Sequence, residues 1–156
     1  MDIGIYALQA ARYLTGEEPV EVSAMIHSTP NDPRFVEVEE NVTFQLRFPG
    51  GVLANCVSSY GVGLNRFRVF KPKGSAELEP ALYYSGQRLR IYRYNSVEER
   101  ELPRIDQFRA EMEHLSECVM NGKEPDTPGE EGLRDLRIMS AIYESADGGK
   151  LVKLAG

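Results

Sequence analysis

Between Asn41 and Phe48 apolar and polar side chains alternate without a break. Val42, Phe44, Leu46 and Phe48 fall on one side, Thr43, Gln45 and Arg47 on the other. A period of two is that of a strand with one buried face. Pro49-Gly50-Gly51 follows as a tight-turn signal, and Val52 to Tyr60 resumes the extended pattern. Residues 42–48 and 52–60 are therefore predicted to pair as an antiparallel hairpin. Val20 to Thr29 alternates in the same way, with Val20, Val22, Ala24 and Ile26 opposite Glu21, Ser23, Met25 and His27. Asn65 to Lys71 does so too, and shorter strand-like pieces lie at 75–79, 82–84, 89–94, 97–102 and 151–154. Phe35 to Glu40 reads as an edge strand or an extended connection. Many strands joined by short turns predict antiparallel pairing, because tight hairpins cannot join parallel neighbours.

Three stretches switch to helical spacing. Residues 1–16 place Ile5, Leu8, Ala11 and Leu14 on one side, with Asp2 as an N-cap candidate and Gly16 as the stop. Asp106 to Asn121 carries Phe108, Met112, Leu115 and Val119, ended by Gly122. Gly129 to Gly148 carries Leu133, Leu136, Ile138, Met139, Ile142, Tyr143 and Ala146. Helix, many strands, two helices and a short strand is an α+β order, an open and mostly antiparallel sheet with helices packed on one face. The 156 residues are expected to form a single domain, with no linker or repeat inside it. The other sheet face, with Met25, His27, Arg47, Asn55, Tyr60 and Phe70 as its expected residues, is either solvated or an interface between subunits.

Composition narrows the partners. Hydrophobic residues make up 42%, enough for a core, and eight Tyr and six Phe replace the missing Trp as ring surface. A net charge of −6 counts against nucleic acid or an anionic membrane as partner, since both require a basic patch. No apolar run approaches the roughly 20 residues of a membrane span, and no signal-peptide pattern opens the chain, so the expected compartment is the cytoplasm. Cys56 and Cys118 read as reduced, buried thiols. No Cys-x-x-Cys or His-x-His spacing points to a metal.

Local chemistry concentrates in the opening helix. Asp2 and Tyr6 are four apart, so carboxylate and phenol are neighbours near a helix N-terminus, where a substrate oxygen could be held or protonated. Spacing alone favours a structural role, with Asp2 capping and Tyr6 packing. His114 offers a general base or, more simply, a packing or surface residue, and His27 reads as structural or interfacial. The glycine pairs are turn glycines. None forms the Gly-x-Gly-x-x-Gly cradle between strand and helix, so no dinucleotide-phosphate site is expected in this chain.

Several separated stretches, taken in order, resemble one family. They are Met1-Asp-Ile-Gly-Ile-Tyr6 through Arg12-Tyr-Leu-Thr-Gly-Glu-Glu-Pro19, Pro30-Asn-Asp-Pro-Arg-Phe-Val-Glu-Val-Glu39, Ser58-Ser-Tyr60, Gln107-Phe108 through His114-Leu115, and Pro128-Gly-Glu-Glu-Gly132 with Ala141-Ile-Tyr-Glu144. Together they resemble the C-terminal domain of the Gfo/Idh/MocA oxidoreductases, in the variant of glucose–fructose oxidoreductase. Residues 72–104 match least. The resemblance implies a substrate-binding and oligomerisation domain of an NAD- or NADP-dependent sugar or polyol oxidoreductase. It further implies catalytic roles for Asp2 and Tyr6, which match the family's Asp and its His or Tyr. Arg12, Tyr60, Asn65 and Arg66 become candidates for sugar contact, with a salt bridge as the alternative for Arg12. The family's Rossmann domain, its glycine-rich turn and its catalytic Lys would lie upstream of this chain. The cofactor is then expected to be bound only when that domain is present, and the homodimer or higher oligomer to form through the open sheet face. The competing reading is a non-catalytic dimerisation module.

Overall fold

The computed structural model describes residues 2–154; Met1, the expected first residue of the opening helix, lies outside them, as do residues 155 and 156. The described chain forms two compact units, one built from the residues up to Leu64 and from Gly129 onward, the other from Asn65–Pro128.

The first unit holds helix α1 (Gly4–Thr15), strands β1 (Glu21–His27), β2 (Asn41–Arg47) and β3 (Leu53–Ser59), helix α3 (Gly129–Gly148) and the short strand β8 (Val152–Lys153). Its sheet runs β3-β2-β1-β8, antiparallel throughout. The predicted hairpin is β2–β3, with Val42 opposite Ser58, Phe44 opposite Cys56 and Leu46 opposite Ala54. That register puts Val22, Val42, Phe44, Leu46 and Cys56 on one face, where they meet Leu8 and Ala11 of α1 and Ile138, Ala141 and Ile142 of α3 in one buried cluster. Burying that many large aliphatic and aromatic side chains, at about 1.5–3 kcal/mol each, is what seats both helices. Ser145, fully buried in α3, ties the layers together: its hydroxyl donates to the Lys150 carbonyl (2.6 Å) and accepts from the Ala24 N–H (3.0 Å). The opposite face carries Met25, Thr43, Gln45, Arg47, Asn55 and Val57, all exposed.

The second unit holds β4 (Phe67–Lys71), β5 (Gly74–Leu78), β6 (Arg88–Arg93), β7 (Ser96–Glu101) and α2 (Gln107–Asn121). The meander expected as part of one sheet is thus a separate four-stranded sheet, β4-β5-β6-β7. Across it Arg68, Glu77, Arg90 and Glu99 stand opposite one another in alternating sign. Glu77 is buried between Arg68 and Arg90, and its carboxylate accepts from the Tyr92 hydroxyl (3.1 Å).

Several boundaries correct the sequence reading. The strand expected at 82–84 is a bend. There the Asn65 side-chain carbonyl accepts from the Ala81 and Leu82 N–H groups (2.7 and 2.6 Å), which takes both donors away from any ladder. Of the two readings of Phe35 to Glu40, an edge strand or a connection, the structure shows a connection. Pro33–Phe35 forms a 3-10 turn capped by Asp32, and irregular chain follows. Asp106 caps α2, its side chain accepting from the Arg109 N–H, but the apolar stripe of that helix does not enter a core: Phe108, Met112, Leu115 and Val119 are all more than half exposed.

Candidate active site

The site begins at the N-terminus of α1. The N-cap position belongs to Ile3 and has no side-chain cap, so Asp2, expected to cap, stands one residue outside the helix. Its carboxylate accepts a hydrogen bond from the Tyr60 hydroxyl (2.8 Å) instead. Strand parity explains this contact. Cys56 and Ser58 point to the helix-covered face, and Tyr60, two residues on, leaves the strand end on that same side. The bond to Asp2 raises the Tyr60 pKa, and Tyr60 remains a donor.

Asp2 and Tyr6 line one open concavity of about 580 Å³, together with Ile5 from α1 and Leu136, Met139, Ser140 and Tyr143 from α3. The α3 residues recur at three- and four-residue intervals, one helical face. Tyr143 reaches beyond its helix, and its hydroxyl donates to Glu39 Oε2 (2.9 Å). Burial and that bond push the Tyr143 pKa up to about 12. The Ser140 hydroxyl donates to the Leu136 carbonyl (2.8 Å), leaving its oxygen as an acceptor. The concavity is therefore lined by the apolar Ile5, Leu136 and Met139 and by two phenols, the Ser140 hydroxyl and the Asp2 carboxylate. A volume of that size falls within the range of small-molecule sites.

The other sequence candidates lie elsewhere. Arg12 is 7% exposed and points into a cluster of carboxylates: Asp135 (2.8 Å), Glu131 (2.7 Å) and Glu18 (2.5 Å). Asp135 also accepts from the Gln9 side-chain amide. The guanidinium holds α1 to α3, with its charge neutralised from three sides. Its hydrogen bond holds the Glu18 carboxyl below the usual carboxylate range. Asn65 and Arg66 belong to the second unit, where Asn65 shapes the bend at residues 81–82 and Arg66 is exposed. His114, also in that unit, accepts at Nε2 from the Asp126 N–H (3.1 Å) and so anchors the loop after α2. Burial pushes the Cys56 thiol up to about 12, and Cys56 and Cys118 are both free thiols. Among the described residues no group of three or more His, Cys, Asp or Glu is arranged to hold a metal ion, and no helix is long and apolar enough to cross a membrane.

Tyr143, Ser140 and Glu39 escaped the sequence reading as site residues. Tyr143 sat in an apolar helical stripe and was counted as core. A tyrosine on a packing face needs a partner for its hydroxyl, and that rule was the available signal.

Residues 1–154 match the model of the oxidoreductase family's C-terminal alpha/beta domain, the Gfo/Idh/MocA type. The chain belongs to that family. The D-xylose 1-dehydrogenase [NADP(+)] of Haloarcula marismortui is 33% identical over 157 residues, covering 99% of this chain and 43% of that protein. A D-xylose 1-dehydrogenase (NADP(+)) of Haloferax volcanii is 28% identical over 99% of this chain and 47% of its own length. Among solved structures, an aldose-aldose oxidoreductase from Caulobacter crescentus, complexed with glycerol, superposes with a TM-score of 0.91 at 51% identity, covering 97% of this chain and 46% of that one. The chain thus spans under half the length of these relatives.

Proposed function

We propose that this chain is the substrate-side and oligomerisation domain of an NAD(P)-dependent sugar or polyol oxidoreductase. The observation that carries the reading is the shared concavity of Asp2 and Tyr6, with Asp2 tethered by Tyr60, in a chain whose relatives are aldose enzymes by name.

Among the described residues no glycine-rich turn joins a strand to a helix, which supports placing the dinucleotide's phosphates on another domain. A Rossmann domain outside this chain would hold the cofactor. When bound, the nicotinamide supplies hydride acceptance or donation at a sugar carbon. The residues of this chain do the rest. Tyr6, half exposed at the rim, holds the reacting oxygen and moves its proton as the C–O bond order changes. Asp2 accepts from a neighbouring sugar hydroxyl with the lone pairs that Tyr60 leaves available, and the Tyr60 bond fixes its direction. The apolar lining takes the C–H face of the sugar and keeps water from it. Self-association through the outer face of the β3-β2-β1 sheet belongs to the same proposal, since Met25, Leu53 and Val57 are exposed there.

The test is hydride transfer from D-xylose or D-glucose by the enzyme with its nucleotide-binding domain, followed as NAD(P)H absorbance. Tyr6→Phe is expected to lower kcat by about 10²–10⁴-fold, the usual contribution of a positioned proton-transfer group. A variant that keeps its parent's kcat would overturn the role of Tyr6.

A further inference from the structure

The two walls of the concavity belong to different helices, Ile5 and Tyr6 to α1, Leu136, Met139 and Ser140 to α3. The groups that fix one wall against the other lie along the same helix–helix seam. Beyond Tyr6, Gln9 and Arg12 follow on α1 at three-residue intervals. Before Leu136, Asp135 and Glu131 stand one turn apart on α3. Gln9 Nε2 donates to Asp135 Oδ2, Arg12 Nη1 to Asp135 Oδ1 (2.8 Å) and Arg12 Nη2 to Glu131 Oε2 (2.7 Å). As α1 is followed back from Arg12 to Tyr6, its partners on α3 advance from Glu131 toward Met139. The helices therefore run antiparallel along a seam that hydrogen bonds close at one end and that opens into the concavity at the other. Asp135 is buried, and α1 engages both of its carboxylate oxygens. Leu8, Ala11, Ile138 and Ile142 seat the helices on the sheet, but apolar attraction is non-directional and defines the sliding of one helix along the other weakly. Directional bonds from two successive turns of α1 to one carboxylate define it.

We infer that the Gln9–Asp135 pair is the positioning element of this site: it sets the register of α1 on α3 and through it the place of the Tyr6 hydroxyl against the bound sugar. The role rests on the sugar-oxidoreductase reading above, in which Tyr6 moves the proton. Gln9 stands one turn from Tyr6 and Asp135 is the neighbour of Leu136, so their bond sits where the seam opens into the concavity. Arg12 holds the far end of the seam by charge, among Glu18, Glu131 and Asp135. Gln9 adds a neutral, directional bond nearer the chemistry. A carboxamide suits that place. A carboxylate there would meet Asp135 charge to charge, and an aliphatic side chain would take a donor away from Asp135 Oδ2. Register matters because one residue of helical rise is about 1.5 Å. A misplacement of about 1 Å between reacting groups can cost on the order of 100-fold in rate.

The experiment measures hydride transfer from D-xylose by the enzyme with its nucleotide-binding domain, together with thermal unfolding and a crystal structure of each variant. Gln9→Glu is expected to lower kcat by about 10- to 100-fold with KM changed by less than about threefold, because the pair acts through Tyr6 and not on the substrate. Its structure is expected to show Tyr6 displaced along α3 by about 0.5–1 Å. Adding Asp135→Asn restores an amide facing a carboxylate, with the amide now on α3, and is expected to return kcat to within about threefold of the parent. Gln9→Leu, which removes the bond without adding a charge, is expected to lower kcat less than Gln9→Glu and the unfolding midpoint by less than about 4 °C, the value of one hydrogen bond. A Gln9→Glu enzyme with the parent's kcat, or a lost kcat that the second substitution fails to restore, would overturn the positioning role. An impaired Tyr6→Phe would in that case still uphold the wider function. A parent enzyme that transfers no hydride from an aldose would overturn both.

Discussion

At the scale of single residues, the chain spends its polar side chains on two different tasks in and just before one helix. Asp2 and Tyr6 open α1 toward a concavity, whereas Arg12, near the other end, is buried among Glu18, Glu131 and Asp135. The cost of desolvating the guanidinium is offset by three carboxylates, and removing it would leave Asp135 buried with an uncompensated charge. Arg12→Ala is therefore expected to destabilise the protein by about 3–5 kcal/mol in urea unfolding. A loss below about 1 kcal/mol would show the cluster to be solvated and weak. Both roles were written as residues in the sequence, but their direction was not. Arg12 stood as a sugar contact or a salt-bridge partner; Glu18 lies close to it in the chain, but Glu131 and Asp135 come to it only with the arrival of α3 from beyond residue 128.

At the scale of elements, periodicity was the reliable signal. The hairpin β2–β3, strand β1 and all three helices stand where the alternation and the 3.6-residue spacing put them, within a few residues at their ends. Gly16 takes the left-handed conformation (φ 68°) that closes α1, and its N–H bonds to the Arg12 carbonyl. The failures came where side chains satisfied the backbone locally, as Asn65 does at residues 81–82. The outer face of the first sheet is an element-scale feature with a consequence under the proposed function. Met25 is 77% exposed in the same cross-strand row as Thr43 and Val57. If this face joins subunits, Met25→Glu is expected to weaken association by about a hundredfold or more, because an unpaired buried charge costs on the order of several kcal/mol. Sedimentation velocity checks it, and a variant that keeps its parent's mass would rule this face out as the interface.

At the scale of the whole molecule, a buried thiol and a half-buried phenol contribute to stability at alkaline pH. Cys56 is held neutral with its pKa pushed from 9.0 to about 12, and Tyr143 from 10.0 to about 12. Both are groups whose folded pKa is raised above the unfolded value. Their contribution is complete below about pH 9. It is lost as pH rises toward 12, since the unfolded chain releases these protons first. Thermal unfolding followed by circular dichroism is expected to show a steady fall in midpoint between pH 9 and 12, shallower in Cys56→Ala. A midpoint that is flat across that window would contradict the raised pKa of both groups.

The sequence by itself determined the elements, the α+β class and, through matches spread along the chain, the family. These depend on local periodicity, turn chemistry and short stretches that are read one after another. Only the tertiary structure decided which candidates meet. Tyr60 reaches Asp2 across 58 positions of chain, Tyr143 reaches Glu39 across 104, and Arg12 turns inward to Asp135 across 123. Pairings over such separations are set by how two helices seat on one sheet face, and no local pattern carries that information. The division of the strands into two sheets has the same origin, because hydrophobic alternation states that a residue belongs to a strand face and not which sheet that strand joins.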